Sequence, residues 1–341
     1  MLHIDGSTGE GGGQVLRSSL ALAILTGQAV HLTNIRAGRA KPGLQPQHLE
    51  SVRAAAQICG GQVTGAALNS QQLLFEPGEV HAGRYRFNIG TAGASTLVLQ
   101  TIFLPLAKAK DSSNITITGG THVPHSPCYH YLERQWLPVL QSCGFWARLS
   151  LERAGFYPQG GGEIQALIRP VESILPLEST QRGKLLRIRG ISAIANLEEA
   201  IARRQKLQAL RRLEPICADS KIETVNMLSP GKGTLLLVQA EFEHSTCCYF
   251  SLGAIGKRAE QVADEAVDAL EALLASDGVV DEYLADQLLL PLAFANGPSR
   301  FRTSRVTLHL LTNAEIVQAF LPIRVQIDGA EGQPGTVTIS P

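Results

Sequence analysis

The sequence predicts an α/β protein, more finely α+β: a large domain of three βαβαββ repeats with a smaller α/β domain inserted into the third. Three observations carry this. Segments of strand and helix character recur twice in the order βαβαββ, at a spacing of roughly 80 residues. A third copy is split. The block that splits it has a different, charge-rich character.

In the first unit, Leu2–Ile4 reads as a strand and Gly13–Leu25 as a helix. Ala29–Asn34 is a strand, Gln47–Ile58 a helix, and Gln62–Val63 and Gln71–Phe75 are strands. The second unit repeats the order with Tyr85–Ile89, helix Ala94–Ala107, Asn114–Thr118, helix Tyr129–Gln141, Ala147–Glu152 and Glu163–Ile168. The third opens near Ser173–Leu177 and resumes with helix Leu284–Ala293. Strand Arg305–Leu308, helix Ala314–Phe320 and strands Ile323–Ile327 and Gly335–Ile339 complete it. Between lie strands Leu185–Ile191, Lys221–Met227, Leu235–Phe242 and Cys247–Leu252, with amphipathic helices Glu198–Leu213 and Ala259–Ala275. The predicted division is 1–181 with 278–341 as the large domain and 182–277 as the insert.

The bulk numbers narrow the class. A chain of 341 residues exceeds one ordinary core. With 30 basic and 30 acidic residues the net charge is zero, so contact with nucleic acid would need a local basic patch. The six cysteines show no C-x-x-C spacing, which argues against a zinc site or disulfide framework and for a reducing compartment. Met1–Asp5 has neither a basic region nor an apolar core after it, so no secretory leader is expected. The most apolar stretch, Leu284–Ala295, is broken by Asp286, Gln287 and Pro291 and falls short of the about 20 apolar residues a bilayer span needs. A cytoplasmic protein without a membrane segment is the expectation.

Six stretches could carry chemistry. Gly9–Arg17, Gly-Glu-Gly-Gly-Gly-Gln-Val-Leu-Arg, feeds a bare backbone into a helix start, where N–H groups and the helix dipole favour phosphate. Glu10 would repel phosphate unless a cation lay between them, so the pairing suggests a metal–nucleotide site. A plain tight turn is the alternative, and no Lys-Ser or Lys-Thr closes a Walker loop. Ile35–Gly43 puts Arg36, Arg39 and Lys41 among small residues, either for phosphate or as a solvated basic loop. In Ile89–Gln100 small residues again open a helix, with Gln100 inside it as a ligand or a surface amide. Gly155–Ile164 is rich in glycine and is sufficiently explained as a hairpin turn. Tyr283–Gln287 opens a helix where Tyr283 could stack on a base and Asp286 could bond a ribose or adenine edge, or merely face the helix dipole. Leu308–Asn313 holds His309 among apolar residues at a strand-to-helix junction, with Thr312 and Asn313 as candidate caps. His309 is either a satisfied core residue or a nucleophile toward phosphorus.

Taken in order, GEGGGQVLR, IRAGRAKPGL, IGTAGASTLVLQ, GFYPQGGG, EYLADQLLLP and HLLTN resemble the RNA 3′-terminal phosphate cyclase family, in its catalytic branch, along nearly the whole chain. The resemblance implies the three-repeat fold with its insert. It also implies a reaction in three steps: ATP adenylylates a histidine, AMP passes to an RNA 3′-terminal phosphate, and the 2′-hydroxyl closes a 2′,3′-cyclic phosphate with release of AMP. The implied substrates are ATP and RNA with a 3′-terminal phosphate, with Mg²⁺ or Mn²⁺ as the metal. His309 matches the adenylylated nucleophile and Glu10 the residue that engages the metal. Gln14, Arg17, Arg39 and Gln100 match positions around the phosphates. Tyr283, Leu284, Ala285, Asp286 and Gln287 match the nucleoside-binding helix start, and Pro127 a proline that packs on adenine. The Arg36–Lys41 segment would hold the RNA end. The family pattern has a second proline and an acidic residue beside Pro127, where this chain has Cys128 and His130. Two rival readings share the fold: a non-catalytic ribosome-assembly relative, and a transferase of the enolpyruvyl type. The presence of His309, Glu10 and Tyr283 argues against the first. The second leaves the histidine motif without a purpose.

Overall fold

The first β-strand, β1 (Leu2–Asp5), delivers the chain into the glycine loop and α1 (Gly13–Thr26), in what is a computed structural model describing residues 1–340. β2 (Val30–Thr33), α2 (Pro46–Cys59), β3 (Gln62–Thr64) and β4 (Leu73–Glu76) follow. Proline at the first turn of α2 suits a position whose N–H would have no helical partner. Gly27 and Gly60, both with positive φ, end α1 and α2. The next run is β5 (Arg84–Asn88), α3 (Ser95–Ala107), β6 (Ser113–Gly119), α4 (Tyr129–Tyr131), α5 (Leu137–Ser142), β7 (Ala147–Arg153) and β8 (Gly162–Ile168). A π-helical turn, Leu132–Trp136, joins α4 to α5, so the continuous helix expected over 129–141 is locally widened and underwound.

After β9 (Glu178–Ser179) come β10 (Leu185–Ala195), α6 (Glu199–Leu213), β11 (Ser220–Asn226), β12 (Gly233–Phe242), β13 (Thr246–Leu252) and α7 (Ala259–Ala275). The chain then closes with α8 (Glu282–Leu292), β14 (Ser299–Thr303), α9 (Leu308–Phe320), β15 (Arg324–Asp328) and β16 (Gly335–Ser340).

The fold is mixed α/β. Three of its four-stranded sheets run β1-β2-β4-β3, β5-β6-β8-β7 and, from the other edge, β9-β14-β16-β15. In each, the first pair is parallel and the other two are antiparallel. The fourth sheet, β11-β10-β12-β13, lies within 182–277 and has a core of its own, including Ile188, Leu236, Val262 and Leu270. A second, larger core runs through the other three sheets and their helices, including Leu16, Leu20, Ile102, Leu288 and Val317. β13 serves both: Cys247 faces the core of the fourth sheet and Cys248 the larger one, as the period of two requires. All six cysteines are free. Among the described residues, no helix is long and apolar enough to cross a membrane.

The third unit departs from expectation in two places. Its opening strand is Glu178–Ser179, not Ser173–Leu177, because pairing with β14 is available only to those two residues. Its second strand is Ser299–Thr303 rather than Arg305–Leu308. The apolar run at 306–311 instead enters α9, which starts six residues before the expected Ala314. His309 therefore sits in the first turn of a helix. α1 lies at the centre of this arrangement, packed against α2, α3 and α9, and that brings the two ends of the chain together.

Candidate active site

The glycine loop between β1 and α1 is shaped by what its glycines leave out. Gly9 and Gly11 have positive φ, and a Cβ at Gly9 would strike the Thr312 side chain. A Cβ at Gly12 would fall on the Glu10 carboxylate, and one at Gly13 on His48 and Arg17. The loop is held from α9, where the buried Thr312 hydroxyl accepts the Glu10 N–H at 2.9 Å. Thr312 and Asn313 are thus interior helix residues. The cap of α9 is Thr307, whose hydroxyl accepts from the Leu310 N–H at 3.1 Å.

His309 is half exposed, with 53% of its side chain accessible, beside this loop. Its Nδ1 lies 2.9 Å from Gln14 Oε1, and the Gln14 amide nitrogen donates to Asp286 Oδ2. An acid-facing amide must present its NH₂ to the carboxylate, which leaves the Gln14 oxygen for the imidazole. An oxygen can only accept, so Nδ1 carries the proton and Nε2 keeps its lone pair. Nε2 stands 3.7 Å from Glu10 Oε1. Partial burial, followed by the nearby Arg17 and Arg39 charges, lowers the His309 pKa and favours the neutral ring.

Asp286 lies half-buried in the second turn of α8, so the alternative in which it merely faces the helix dipole does not hold. Burial raises its pKa to about 7, against the hydrogen bond from Gln14 and the charge of Arg17. Asn313 fastens this corner: its Nδ2 donates to the Asp286 carbonyl at 2.7 Å, and its Oδ1 accepts from Ser18 at 2.6 Å. The true cap of α8 is Asp281, which accepts the N–H groups of Tyr283 and Leu284 and the Tyr131 hydroxyl. Sequence reasoning missed Asp281. Its signal was an Asp one residue before the helix start, the usual place for a cap.

Glu10 is largely buried. Arg39 pairs with one carboxylate oxygen and donates to the Glu10 carbonyl at 2.9 Å. The other oxygen, Oε2, is buried and accepts no hydrogen bond. Arg17 stays cationic, although burial lowers its pKa to about 10. His48, against Gly13, accepts the Gln45 N–H through Nδ1, and burial followed by Arg17 and Arg36 lowers its pKa to about 3, so it is neutral. Arg36 bonds the carbonyls of Lys41 and Gly43, which closes the basic loop; of its other cations Arg39 turns in to Glu10 and Lys41 is exposed.

The remaining expected residues lie on α3, on α8 and in the segment before α4. Gln100 on α3 donates to Gln287 on α8 at 2.6 Å, which ties two helices across the site. Tyr283 is 53% exposed at the start of α8 and meets Tyr249 edge to face. Leu284 and Ala285 are fully buried, main chain included. The Pro127 carbonyl accepts from Thr96 at 2.8 Å, which sets that proline against the start of α3. Beside it, His130 at the family's acidic position pairs with the buried His122 at 2.8 Å. Burial holds both rings below the ordinary imidazole range.

A bare-backbone loop, a neutral histidine and two nearby arginines are groups of the kind suited to phosphate. The comparisons agree with that chemistry. The family profile described as RNA 3′-terminal phosphate cyclase matches residues 8–327. The RNA 3′-terminal phosphate cyclase of Pseudomonas fluorescens is 45% identical over 96% of this chain and 94% of its own length. Those of Nostoc punctiforme and Salmonella enteritidis are each 41% identical, over 97% of this chain and 97% and 96% of theirs. The chain belongs to the RNA 3′-terminal phosphate cyclase family. Among solved structures, the enolpyruvyl transferase NikO from Streptomyces tendae aligns with 99% of this chain and 81% of that one. Its 10% identity and TM-score of 0.26 carry no argument.

Proposed function

We propose that this protein converts an RNA 3′-terminal phosphate to a 2′,3′-cyclic phosphate at the expense of ATP, with His309 as the covalent nucleophile. The observation that carries this is the Asp286–Gln14–His309 chain, which leaves Nε2 unprotonated toward the glycine cradle. In the first step Nε2 attacks the α-phosphorus of ATP and pyrophosphate leaves. Arg17 and Arg39 offset the charge of the phosphates, and the N–H groups at the start of α1 bond them. In the second, an oxygen of the RNA 3′-phosphate attacks the AMP phosphorus and the P–N bond breaks. In the third, the 2′-hydroxyl attacks the 3′-phosphorus and AMP leaves. Oxide is a poor leaving group and AMP a good one, so adenylylation makes ring closure feasible. The neighbouring hydroxyl is already positioned, which supplies the rest.

Tyr283, the α8 start with Asp286 and Gln287, and Pro127 would flank the nucleoside, with Gln100 holding Gln287 in place. Arg39 and Lys41 would meet the RNA end. The orphaned Glu10 Oε2 suits a divalent cation, Mg²⁺ or Mn²⁺, which when bound would neutralise charge on the triphosphate. Among the described residues no group of three or more His, Cys, Asp or Glu could hold a metal, so the phosphates themselves would supply further ligands. We also propose that 182–277 is an inserted domain, on the strength of its separate core and sheet.

Incubation with α-labelled ATP and divalent metal tests the reading. An acid-labile, base-stable label that His309→Ala lacks is expected, together with phosphatase resistance of RNA ending in a 3′-phosphate. A 2′-deoxy end should not cyclise. No label on the wild type, or an equal label on His309→Ala, would overturn it.

A further inference from the structure

The glycine-rich loop Gly155–Gly162 takes no part in the chemistry above, yet it is built with care. Gly160 and Gly161 have positive φ, and a Cβ at Gly160 would collide with the main chain of Thr91 and Ala92. The loop is therefore pressed onto the segment between β5 and α3. At its tip Tyr157 is 69% exposed, whereas Tyr129, Tyr131 and Tyr249 are buried. Two residues on, Gln159 helps to line a cleft of about 220 Å³ with Asn88, Gly90, Thr91, Thr118 and Gly161.

The lining carries no charge, so an anion there would go uncompensated. It does carry hydrogen-bonding groups with capacity to spare. Asn88 Oδ1 accepts from Gly90 N and Thr91 Oγ1 from Gly93 N, which leaves the Asn88 NH₂ and the Thr91 O–H to donate. The cleft is smaller than the ~300–1,000 Å³ of drug-sized sites, and suits one planar ring. An exposed aromatic beside neutral amides is how single-stranded RNA is gripped, by stacking and by bonds to unpaired base edges.

The position fits. Gln47 Oε1 accepts the Ala94 N–H at 2.7 Å, and the next residue, His48, abuts Gly13. The segment that follows Thr91 of the cleft is thus tied to the glycine cradle through the first turn of α2. On the other side of the cleft Gly231 rests on Gln159, and the exposed Lys232 follows, in no ion pair among the described residues.

We infer that Tyr157 and this cleft bind the nucleotide on the 5′ side of the reacting RNA end, with the base stacked on Tyr157, its edge at Asn88 and Gln159, and Lys232 beside the backbone phosphate. This rests on the RNA-cyclase reading, and the test separates the two. Binding of a short single-stranded RNA ending in a 3′-hydroxyl, which cannot react, is followed by fluorescence anisotropy for the wild type, Tyr157→Ala and Tyr157→Phe. Tyr157→Ala should weaken binding and raise the KM for 3′-phosphate RNA by about ten-fold, while Tyr157→Phe retains affinity. An RNA abasic at the penultimate position should bind the wild type as weakly as Tyr157→Ala binds the intact RNA, with no further loss on combining the two. Formation of labelled enzyme from ATP should be the same in all three proteins. Equal affinity of wild type and Tyr157→Ala, indifference to the abasic site, no RNA binding by the wild type, or equal losses in both variants would overturn the inference. A wild type that binds RNA with the expected Tyr157 dependence but takes no label would overturn the cyclase reading alone.

Discussion

Gln14 could face His309 with either its oxygen or its NH₂, and Asp286 decides between them. While the carboxylate is ionised it takes the NH₂. Once protonated, it can donate to the amide oxygen and reverse the glutamine. Because burial raises the Asp286 pKa to about 7, the productive form should be lost as pH falls through that value. The His309 pKa is itself lowered, so its own protonation comes later, below the ordinary ~6.5. The rate of self-adenylylation should therefore show an acid limb near pH 7. In Asp286→Asn the rate should drop by about ten-fold, as for other outer partners that orient a functional histidine, and the limb should move below that of free imidazole. An unmoved limb in Asp286→Asn would remove Asp286 from this role.

At the scale of elements, α1, α8 and α9 meet near their N-terminal ends, where Gln14 of α1 reaches both Asp286 and His309. Thr312 on α9 holds the Glu10 N–H. Thr312→Val leaves that donor bonded to nothing and should cost about 1–3 kcal/mol in urea unfolding, while Thr312→Ser should cost much less. Gly13→Ala should keep the circular dichroism of the fold but lose the ATP-derived label, because the methyl would displace His48 and Arg17. α8 carries a second device in its cap. Asp281 is fully buried, its Oδ2 accepts no hydrogen bond, and burial raises its pKa to about 7. A carboxyl whose folded pKa lies above its unfolded value binds more protons when folded, so stability declines as pH rises from the usual carboxylate range through 7. Asp281→Asn, which preserves the cap, should flatten that decline in Tm between pH 5 and 8 (about three pH units, spanning the raised value).

Across the whole molecule, the passage into and out of 182–277 is tied by one side chain. Arg182 donates to the carbonyls of Leu273, Leu274 and Gly278, so the departing and returning strands of chain are fastened to the end of α7. Hydrogen bonds from a charged donor are worth about 1.5–3 kcal/mol, and here three share one guanidinium. Arg182→Ala should expose both crossings to limited proteolysis, releasing a fragment close to 182–277, at a rate well above the wild type. Cleavage elsewhere first would show that the tie lies in the packing of β13 between its two cores instead.

Much of this was legible in the sequence because the governing signals are local. The alternation of periods along residues 1–168 placed the strands and helices to within a few positions. Glycines around Glu10 announced a bare backbone before a helix. The third unit was misread at Arg305–Leu308 because the alternation Arg-Val-Thr-Leu reads as a strand, four residues are too few to tell it from a helix start, and only pairing of β14 with β16 decides. Neither the tautomer of His309 nor the pairing of Glu10 with Arg39 could be read from spacing. Those depend on groups far apart in the chain, such as Gln14 and His309, that meet only when α1 packs against α9. The sequence by itself determined which chemical groups are present and which segments carry them. The tertiary structure decided their protonation and direction, because burial and contact between distant side chains set both.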